Sequence, residues 1–202
     1  MKKVLLSAVA VMAFMSVSAQ ETRFGVKAGA NLATFTGDVE DAKSLVGFQV
    51  GGFAEIKLTD KFAIQPEILF STQGAKEEGS DIFSSYENKV NLSYLNVPVM
   101  FKYYVAEKFR LEAGPQIGFL LSAKSKYKET VDGETYSDDV DVKDAFKSID
   151  FGVNFGAGYD FTENLSVGLR YNLGLSNIAE TEEGSDAKVK NSVFSLSVGY
   201  KF

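Results

Sequence analysis

The chain contains neither cysteine nor histidine. It therefore has no disulfide, no thiol nucleophile, no lipoprotein anchor, no histidine-based zinc site and no Ser-His-Asp or Cys-His triad. Carboxylates such as Glu55 and Glu67 remain for acid–base chemistry, but ion pairing with Lys27 and Arg170 is the expected role of such groups. We predict no enzymatic activity, no cofactor and no metal site.

The mature part of the chain also lacks a long apolar run. The one apolar stretch, residues 4–17, follows Lys2 and Lys3 and ends in Val17-Ser18-Ala19. This order is typical of a cleaved secretory signal peptide, and the stretch is too short for a comfortable membrane span. We predict a signal peptide at 1–19 and one exported domain at 20–202.

The charge of the chain is negative, with a formal value of -6 at pH 7. Loss of the two signal-peptide lysines makes the exported chain more acidic still. An acidic exported chain is poorly suited to a polyanion. We therefore expect no nucleic-acid partner.

Apolar and polar residues alternate with a period of two, which predicts β-strands. Each alternating segment reaches the roughly 9–11 residues that a tilted strand needs to cross a bilayer. The eight predicted strands are 24–33, 46–58, 62–72, 92–103, 109–123, 148–161, 165–176 and 192–202.

The connections alternate between short and long. The turns at 59–61, 106–108 and 162–164 are short, whereas the polar segments at 34–45, 73–91, 124–147 and 177–191 are long. This layout is typical of outer-membrane barrels, with short periplasmic turns and long extracellular loops. A sheet in lipid must close on itself. We predict an all-β, eight-stranded antiparallel up-and-down transmembrane β-barrel with both termini at the periplasmic end.

The signal peptide, the eight alternating strands and the terminal Phe202 resemble the small outer-membrane β-barrels of the OmpA/OmpX type. Residues 94–123, YLNVPVMFKYYVAEKFRLEAGPQIGFLLSA, resemble the central hairpin of the porin-family, PorT-like outer-membrane β-barrel domain. The resemblance covers essentially all of 20–202. It implies an integral protein of the cell outer membrane but no specific activity, because members of the family differ widely in role.

Aromatic residues near the predicted periplasmic end are expected to form a girdle at the lipid interface. They are Tyr103, Tyr104, Phe109, Phe161, Tyr200 and Phe202. The expected partners are outer-membrane lipid and lipopolysaccharide, and the barrel-assembly machinery, which would engage the strand ending in Phe202. We expect a monomer rather than an oligomer.

Inward-facing polar residues decide whether anything passes through an eight-stranded lumen, which is only wide enough for side chains to fill. The predicted central cluster is Lys27, Glu55, Gln65, Glu67, Glu112 and Arg170. One layer above lie Asn31, Asn96, Gln116, Asn154 and Asn172, and near the periplasmic mouth lie Lys57, Lys102, Arg110, Asp160 and Lys201. Because buried charges must be paired, we favour a polar plug over an ion-pair gate or a narrow polar path.

Three prolines, Pro66, Pro98 and Pro115, fall inside predicted strands. Proline cannot donate to a sheet ladder and a closed barrel has no edge. We expect a bulge or a water-filled gap at this height.

Two possible ligand sites are rejected. The acidic residues Asp138, Asp139, Asp141 and Asp144 lack the spacing of a calcium-binding EF-hand loop. The glycine-rich stretch at 152–158 lies on a predicted strand with no helix after it, so it does not fit a phosphate-binding loop.

Three functional interpretations remain open at this level. The first is a non-enzymatic barrel with a plugged lumen, acting in envelope integrity or in surface interaction through its long acidic loops. The second is a narrow porin for ions or small solutes. The third is a secreted soluble barrel that carries a lipophilic ligand, which requires the apolar face inside.

Overall fold

The computed structural model describes residues 21–39, 42–80, 84–131, 134–180 and 187–202. The predicted signal peptide at 1–19 lies outside these residues. Within the described ranges, no helix is both long and apolar enough to span a membrane.

Nine β-strands make up the described chain, together with one turn of 3-10 helix at Lys143–Ala145. The strands are β1 Thr22–Gly37, β2 Lys43–Lys57, β3 Phe62–Ser80, β4 Ser84–Tyr104, β5 Phe109–Val131, β6 Glu134–Asp141, β7 Ile149–Asp160, β8 Leu165–Gly174 and β9 Val189–Lys201.

Eight of these strands close into a ring. Neighbours in the chain pair antiparallel, β4 pairs with β5, β5 pairs with β7, and β9 pairs with β1 in a register that includes Lys27↔Gly199. The remaining strand, β6, pairs with β5 alone, beyond the point where β5 leaves β7. The predicted eight-stranded antiparallel up-and-down barrel is therefore confirmed.

The barrel wall has its apolar face on the outside, the reverse of the arrangement in a soluble protein. On β9, Leu196 is 60% exposed, whereas its neighbours Ser195 and Ser197 are each 6% exposed. The same alternation places apolar side chains outside on the other strands of the ring, and most of the side chains inside are polar, with exceptions such as Phe53 and Met100. A soluble carrier of a lipophilic ligand would need the opposite arrangement.

The strands on one side of the barrel continue well past their predicted ends. β3 and β4 pair out to Ser80↔Ser85, and β5 and β6 pair out to Val131↔Glu134. Strands β3 to β6 thus form a four-stranded extracellular sheet, where the sequence analysis predicted loops. The prediction ended these strands too early because a strand exposed on both faces has no apolar face to reveal its period.

The three prolines interrupt sheet pairing without shifting its register. Between β4 and β5 the pairs run from Pro98↔Gln116 directly to Phe101↔Ala113, so the ladder skips Pro115. The β2–β3 and β3–β4 ladders skip Pro66 and Pro98 in the same way. Of the two structures predicted at this height, the bulge is wrong, because the missing N–H removes ladder bonds but adds no residue. The water-filled gap stays a prediction.

A one-residue bulge lies closer to the extracellular end instead. It falls where Ser93↔Ser122 gives way to Tyr94↔Leu120. The bulge changes which residues of β5 point inward above this level.

Gly114, beside Pro115, provides a test of the close approach of β4 and β5 where the prolines interrupt the ladder. A Cβ at Gly114 would lie 1.9 Å from the backbone oxygen of Val99, whereas a Cβ at Gly52 would meet only the oxygen of Gly25 at 3.6 Å. We expect Gly114→Ala to lower the free energy of unfolding by about 1–3 kcal/mol or more, because backbone must move to admit the methyl group. Urea titration in lipid vesicles, followed by the gel mobility of the unheated barrel, measures this change.

Gly52→Ala is the matched control and should unfold at the parent urea concentration or slightly above it. Equal stability of the two alanine variants would contradict the close approach of the β4 and β5 backbones.

Candidate functional site

Five of the predicted lumen residues meet around the guanidinium of Arg170. Its Nη1 and Nη2 donate to the two carboxylate oxygens of Glu67 at 3.0 and 2.9 Å, and its Nε donates to Oε1 of Glu112 at 3.0 Å. Lys27 Nζ and Gln65 Nε2 also donate to Glu67, at 2.8 and 2.6 Å. These five residues are called the Arg170 cluster below.

The Arg170 cluster spans the full width of the lumen. In the ring of eight strands, β8, which carries Arg170, lies opposite β3, which carries Glu67. β1, which carries Lys27, likewise lies opposite β5, which carries Glu112. The Glu67 side chain is 0% exposed and that of Arg170 is 7% exposed, so the ion pairs that bridge the lumen are buried.

Glu55 has different partners from those predicted. Its carboxylate accepts hydrogen bonds from Lys102 Nζ at 2.6 Å and Lys201 Nζ at 3.0 Å, with the hydroxyl of Tyr104 at 3.3 Å. The tilt of the strands moves Glu55 towards the periplasmic mouth. We call the group formed by Glu55, Lys102, Tyr104, Arg110, Asp160 and Lys201 the mouth cluster.

The two clusters are joined into one network. Arg110 pairs with Asp160 in the mouth cluster, and its Nε lies 3.6 Å from Oε2 of Glu112 in the Arg170 cluster. Lys102 also donates to Gln65.

The joined network holds nearly equal numbers of opposite charges. Its cations are Lys27, Lys102, Arg110, Arg170 and Lys201, and its anions are Glu55, Glu67, Glu112 and Asp160. Each of these charges has an ionic partner, as buried charges require.

Lys57 was predicted near the periplasmic mouth with these residues but does not join the mouth cluster. Its Nζ pairs with Glu21 at 3.1 Å on the rim, and both side chains are more than two-fifths exposed. The hydrogen bond from Lys57 lowers the pKa of Glu21, with Arg23 contributing second. The rim pair is thus solvated and lies outside the buried network.

The predicted amide layer lies above the Arg170 cluster. Asn31 bonds the hydroxyls of Ser71 and Ser195, and Asn154 bonds the side-chain amides of Gln116 and Asn172. A cavity of about 10 Å³ is lined by this layer and by Arg170. That volume holds about one water molecule.

An apolar cap, absent from the sequence prediction, fills the extracellular end of the lumen. Its buried members are Leu92, Tyr94, Leu120, Ala123 and Ile178, with Phe35, Val90, Val142, Phe146 and Val189 packed around them.

The segment after β8 supplies the central cap residue. Ile178 is fully buried, its N–H donates to the oxygen of Val189 at 2.8 Å, and its oxygen accepts from the N–H of Lys147 at 2.7 Å. The sequence offered one signal for the apolar cap, on β4, where Leu92 and Tyr94 lie on the face opposite Leu95. Both faces are apolar there.

The predicted aromatic girdle is divided between the two sides of the wall. The side chains on the outside, in the predicted interface position, are Tyr103, Phe109, Phe161, Tyr200 and Phe202, and Phe202 is the most exposed at 71%. Tyr104 is a correction, because its hydroxyl lies inside, between Glu55 and Asp160. A residue adjacent to an outward-facing one must face inward on a strand.

Replacing Arg170 tests the cross-lumen ion pairs. We expect Arg170→Met to lower the free energy of unfolding by about 3–5 kcal/mol, because Glu67 and Glu112 stay buried and lose their shared cation. Urea titration of the refolded barrel in lipid vesicles measures the loss.

Two further variants interpret that result. Adding Glu112→Gln to Arg170→Met should recover part of the loss, because Glu67 keeps Lys27 as its partner. Arg23→Met, at an exposed pair with Glu21, should cost at most about 1 kcal/mol. An Arg170→Met barrel that is as stable as the parent would contradict a buried charge network.

Several solved structures are similar to this chain at low sequence identity. Ail, the attachment invasion locus protein of Yersinia pestis, is 13% identical and has a TM-score of 0.46 over 90% of this chain and 99% of that chain. Neisserial surface protein A is 16% identical and has a TM-score of 0.47 over 89% and 97%. The N-terminal β-barrel domain of Pseudomonas aeruginosa OprF is 15% identical and has a TM-score of 0.34 over 87% and 97%.

The family comparison rests on sequence and covers most of the chain. Among the curated proteins, no sequence matches this one. Residues 18–180 match the family model of the outer membrane protein beta-barrel domain. With its closed ring, its apolar exterior and this match, the chain belongs to the outer membrane protein β-barrel domain family and is an outer-membrane protein.

Proposed function

We propose that this protein is a non-enzymatic barrel with a closed lumen that acts in surface interaction or envelope integrity through its extracellular sheet. The observation that carries the proposal is the contrast between a filled lumen and a long projecting sheet. The Arg170 cluster, the amide layer and the apolar cap occupy the lumen in succession. Strands β3 to β6 extend beyond it with most of their side chains exposed.

The filled lumen argues against a role as a porin. A passing ion would have to separate cross-lumen pairs such as Arg170 and Glu67, and breaking a buried pair costs several kcal/mol. It would then meet the cap around Ile178, whose buried side chains are apolar apart from the hydroxyl of Tyr94 and so solvate a charge poorly.

The face of the sheet that continues the lumen wall carries three exposed tyrosines. Tyr86 and Tyr136 both lie opposite Glu129, on its two sides, and Tyr127 lies opposite Asp138 in the next row. Ser125 and Asn88 hydrogen-bond on the same face at 3.0 Å. We call this side of the sheet the tyrosine face.

All charged residues of the tyrosine face are acidic. In the described part of the sheet they are Glu77, Glu129, Glu134 and Asp138, whereas every lysine of the sheet lies on the opposite face. Tyrosine rings favour cations and apolar groups, and carboxylates favour ammonium and guanidinium groups. The tyrosine face therefore suits a partner surface that is basic and partly apolar.

Single-channel recording tests the closed lumen. We expect the refolded parent to show no steady openings in a planar bilayer, and Arg170→Ala to remain silent, because the apolar cap is intact in that variant. A porin inserted under the same conditions serves as the positive control. Steady openings in the parent that grow larger in Arg170→Ala would overturn the closed lumen.

Binding of a fluorescent oligolysine peptide to proteoliposomes tests the tyrosine face. We expect Glu77→Gln/Glu129→Gln/Asp138→Asn to bind the peptide about tenfold more weakly, from about 0.5 kcal/mol for each exposed carboxylate. Titration of the peptide at low salt measures the change.

The matched control removes three acids from the other face of the same sheet. Glu78→Gln/Glu87→Gln/Asp139→Asn changes the net charge equally and should weaken binding far less. Equal loss in the two triple variants would mean that the peptide responds to net charge and not to this face.

A further inference from the structure

Four lysines form a continuous row across the extracellular sheet and the adjoining end of β2. Lys43 on β2 lies directly opposite Lys76 on β3, Lys76 opposite Lys89 on β4, and Lys89 opposite Lys126 on β5. Adjacent strands are about 4.8 Å apart, and like charges directly opposite one another are destabilising. This lysine row is therefore costly unless anions lie along it.

The protein's own carboxylates neutralise the lysine row only in part. Glu78 pairs with Lys76 at 2.8 Å and is shared with Lys43 at 3.4 Å. Lys89 and Lys126 pair with one carboxylate each, Glu87 at 2.7 Å and Asp139 at 3.3 Å. The four ammonium groups thus have three carboxylates.

Neighbouring lysines increase the positive charge of this face. Lys124 and Lys128 alternate with Lys126 along β5 and point to the same side. Within the described sheet this face holds six lysines against four acids, which are Glu78, Glu87, Asp139 and Asp141. An excess of cations is unusual on a chain whose formal charge is -6.

The lysine row faces the membrane side of the wall. Further down the same strands and on the same face lie the apolar side chains that look outward from the barrel, including Val46 on β2 and Leu121 on β5. Lys43 is three residues from Val46, and Lys126 is five residues from Leu121. These odd spacings still fall on one face because each spans a one-residue register shift, in β2 between Ser44 and Gln49 and in β5 between Leu120 and Ser122. At about 3.3 Å per residue on tilted strands, the row lies roughly 7–13 Å beyond the apolar band, at the level of the headgroups.

We propose that the lysine row binds the phosphate groups of phosphorylated glycolipid headgroups in the outer leaflet. A phosphate carries the charge that the row lacks, and each ammonium group supplies three donors to its oxygens. One phosphate can lie between two opposite lysines and remove their repulsion. The inference depends on the outer-membrane location alone and is independent of the closed lumen and of the tyrosine face.

The test compares the parent with Lys76→Gln/Lys89→Gln, which removes the central pair of the row. Lys61→Gln/Lys108→Gln, in the periplasmic turns, removes the same charge at the other end of the barrel and is the matched control. Each protein is refolded into phosphatidylcholine vesicles that contain bisphosphorylated lipid A, dephosphorylated lipid A or neither. The unfolding temperature is read from the gel mobility of samples heated in steps.

The row variant should unfold near the parent temperature in phosphatidylcholine alone, because the lost repulsion between lysines offsets the lost exposed pairs with Glu78 and Glu87. Bisphosphorylated lipid A should raise the unfolding temperature of the parent and of the periplasmic control, but not that of the row variant. Titrating the lipid A fraction should show binding about fivefold weaker for each lysine removed, since a basic residue near an anionic membrane surface contributes about 1 kcal/mol. Lys43→Gln/Lys126→Gln, at the ends of the row, should behave like the central variant.

Three results would overturn the proposal. One is that dephosphorylated lipid A raises the unfolding temperature of the parent as much as bisphosphorylated lipid A does, which would mean that the acyl chains and not the phosphates cause the effect. Another is a row variant whose unfolding temperature rises as much as that of the parent when bisphosphorylated lipid A is added. The third is the same rise with inorganic phosphate alone, which would make the ligand a free anion and not a lipid headgroup.

Discussion

Lipid offers a backbone amide no hydrogen-bond partner, so each strand that crosses it must pair along both of its sides. The pairing of β9 with β1, from Gly25↔Lys201 upward, satisfies this requirement for the first and last strands together. Closure with eight strands fixes a narrow lumen. All the polar chemistry of the interior follows from that narrowness.

Charged side chains in so narrow a lumen reach the opposite wall and are shielded from bulk solvent. Arg170 and Glu67 meet across it, and the small residues beside the network make room for it. A Cβ at Gly158, for example, would lie 2.4 Å from the guanidinium carbon of Arg110. Buried ion pairs are weak evidence for stability but can specify geometry. Here we infer that they fix which strands face one another across the ring.

The alternation of apolar and polar residues was sufficient to predict the ring, its order and its lipid face, because lipid imposes that alternation on each crossing strand. It was insufficient above the membrane, where β6 is exposed throughout and shows no apolar face. Tyr104 was misplaced by its aromatic character, although the outward position of Tyr103 already required it to face inward. Glu55 was misplaced because depth in a tilted barrel depends on strand stagger, which a single sequence does not contain.

The extracellular sheet extends the same alternation into water and uses it for a different purpose. Its tyrosine face is acidic and its outer face is lysine-rich, although both faces come from the same four strands. A slip of one residue in register would exchange the two faces. That register is inherited from the ring below in β3 and β4, which run without a break from the membrane into the sheet, and in β5 it is offset by the one-residue bulge beside Leu120. Barrel closure therefore determines which chemistry the protein presents to the lipid surface and which it presents away from it.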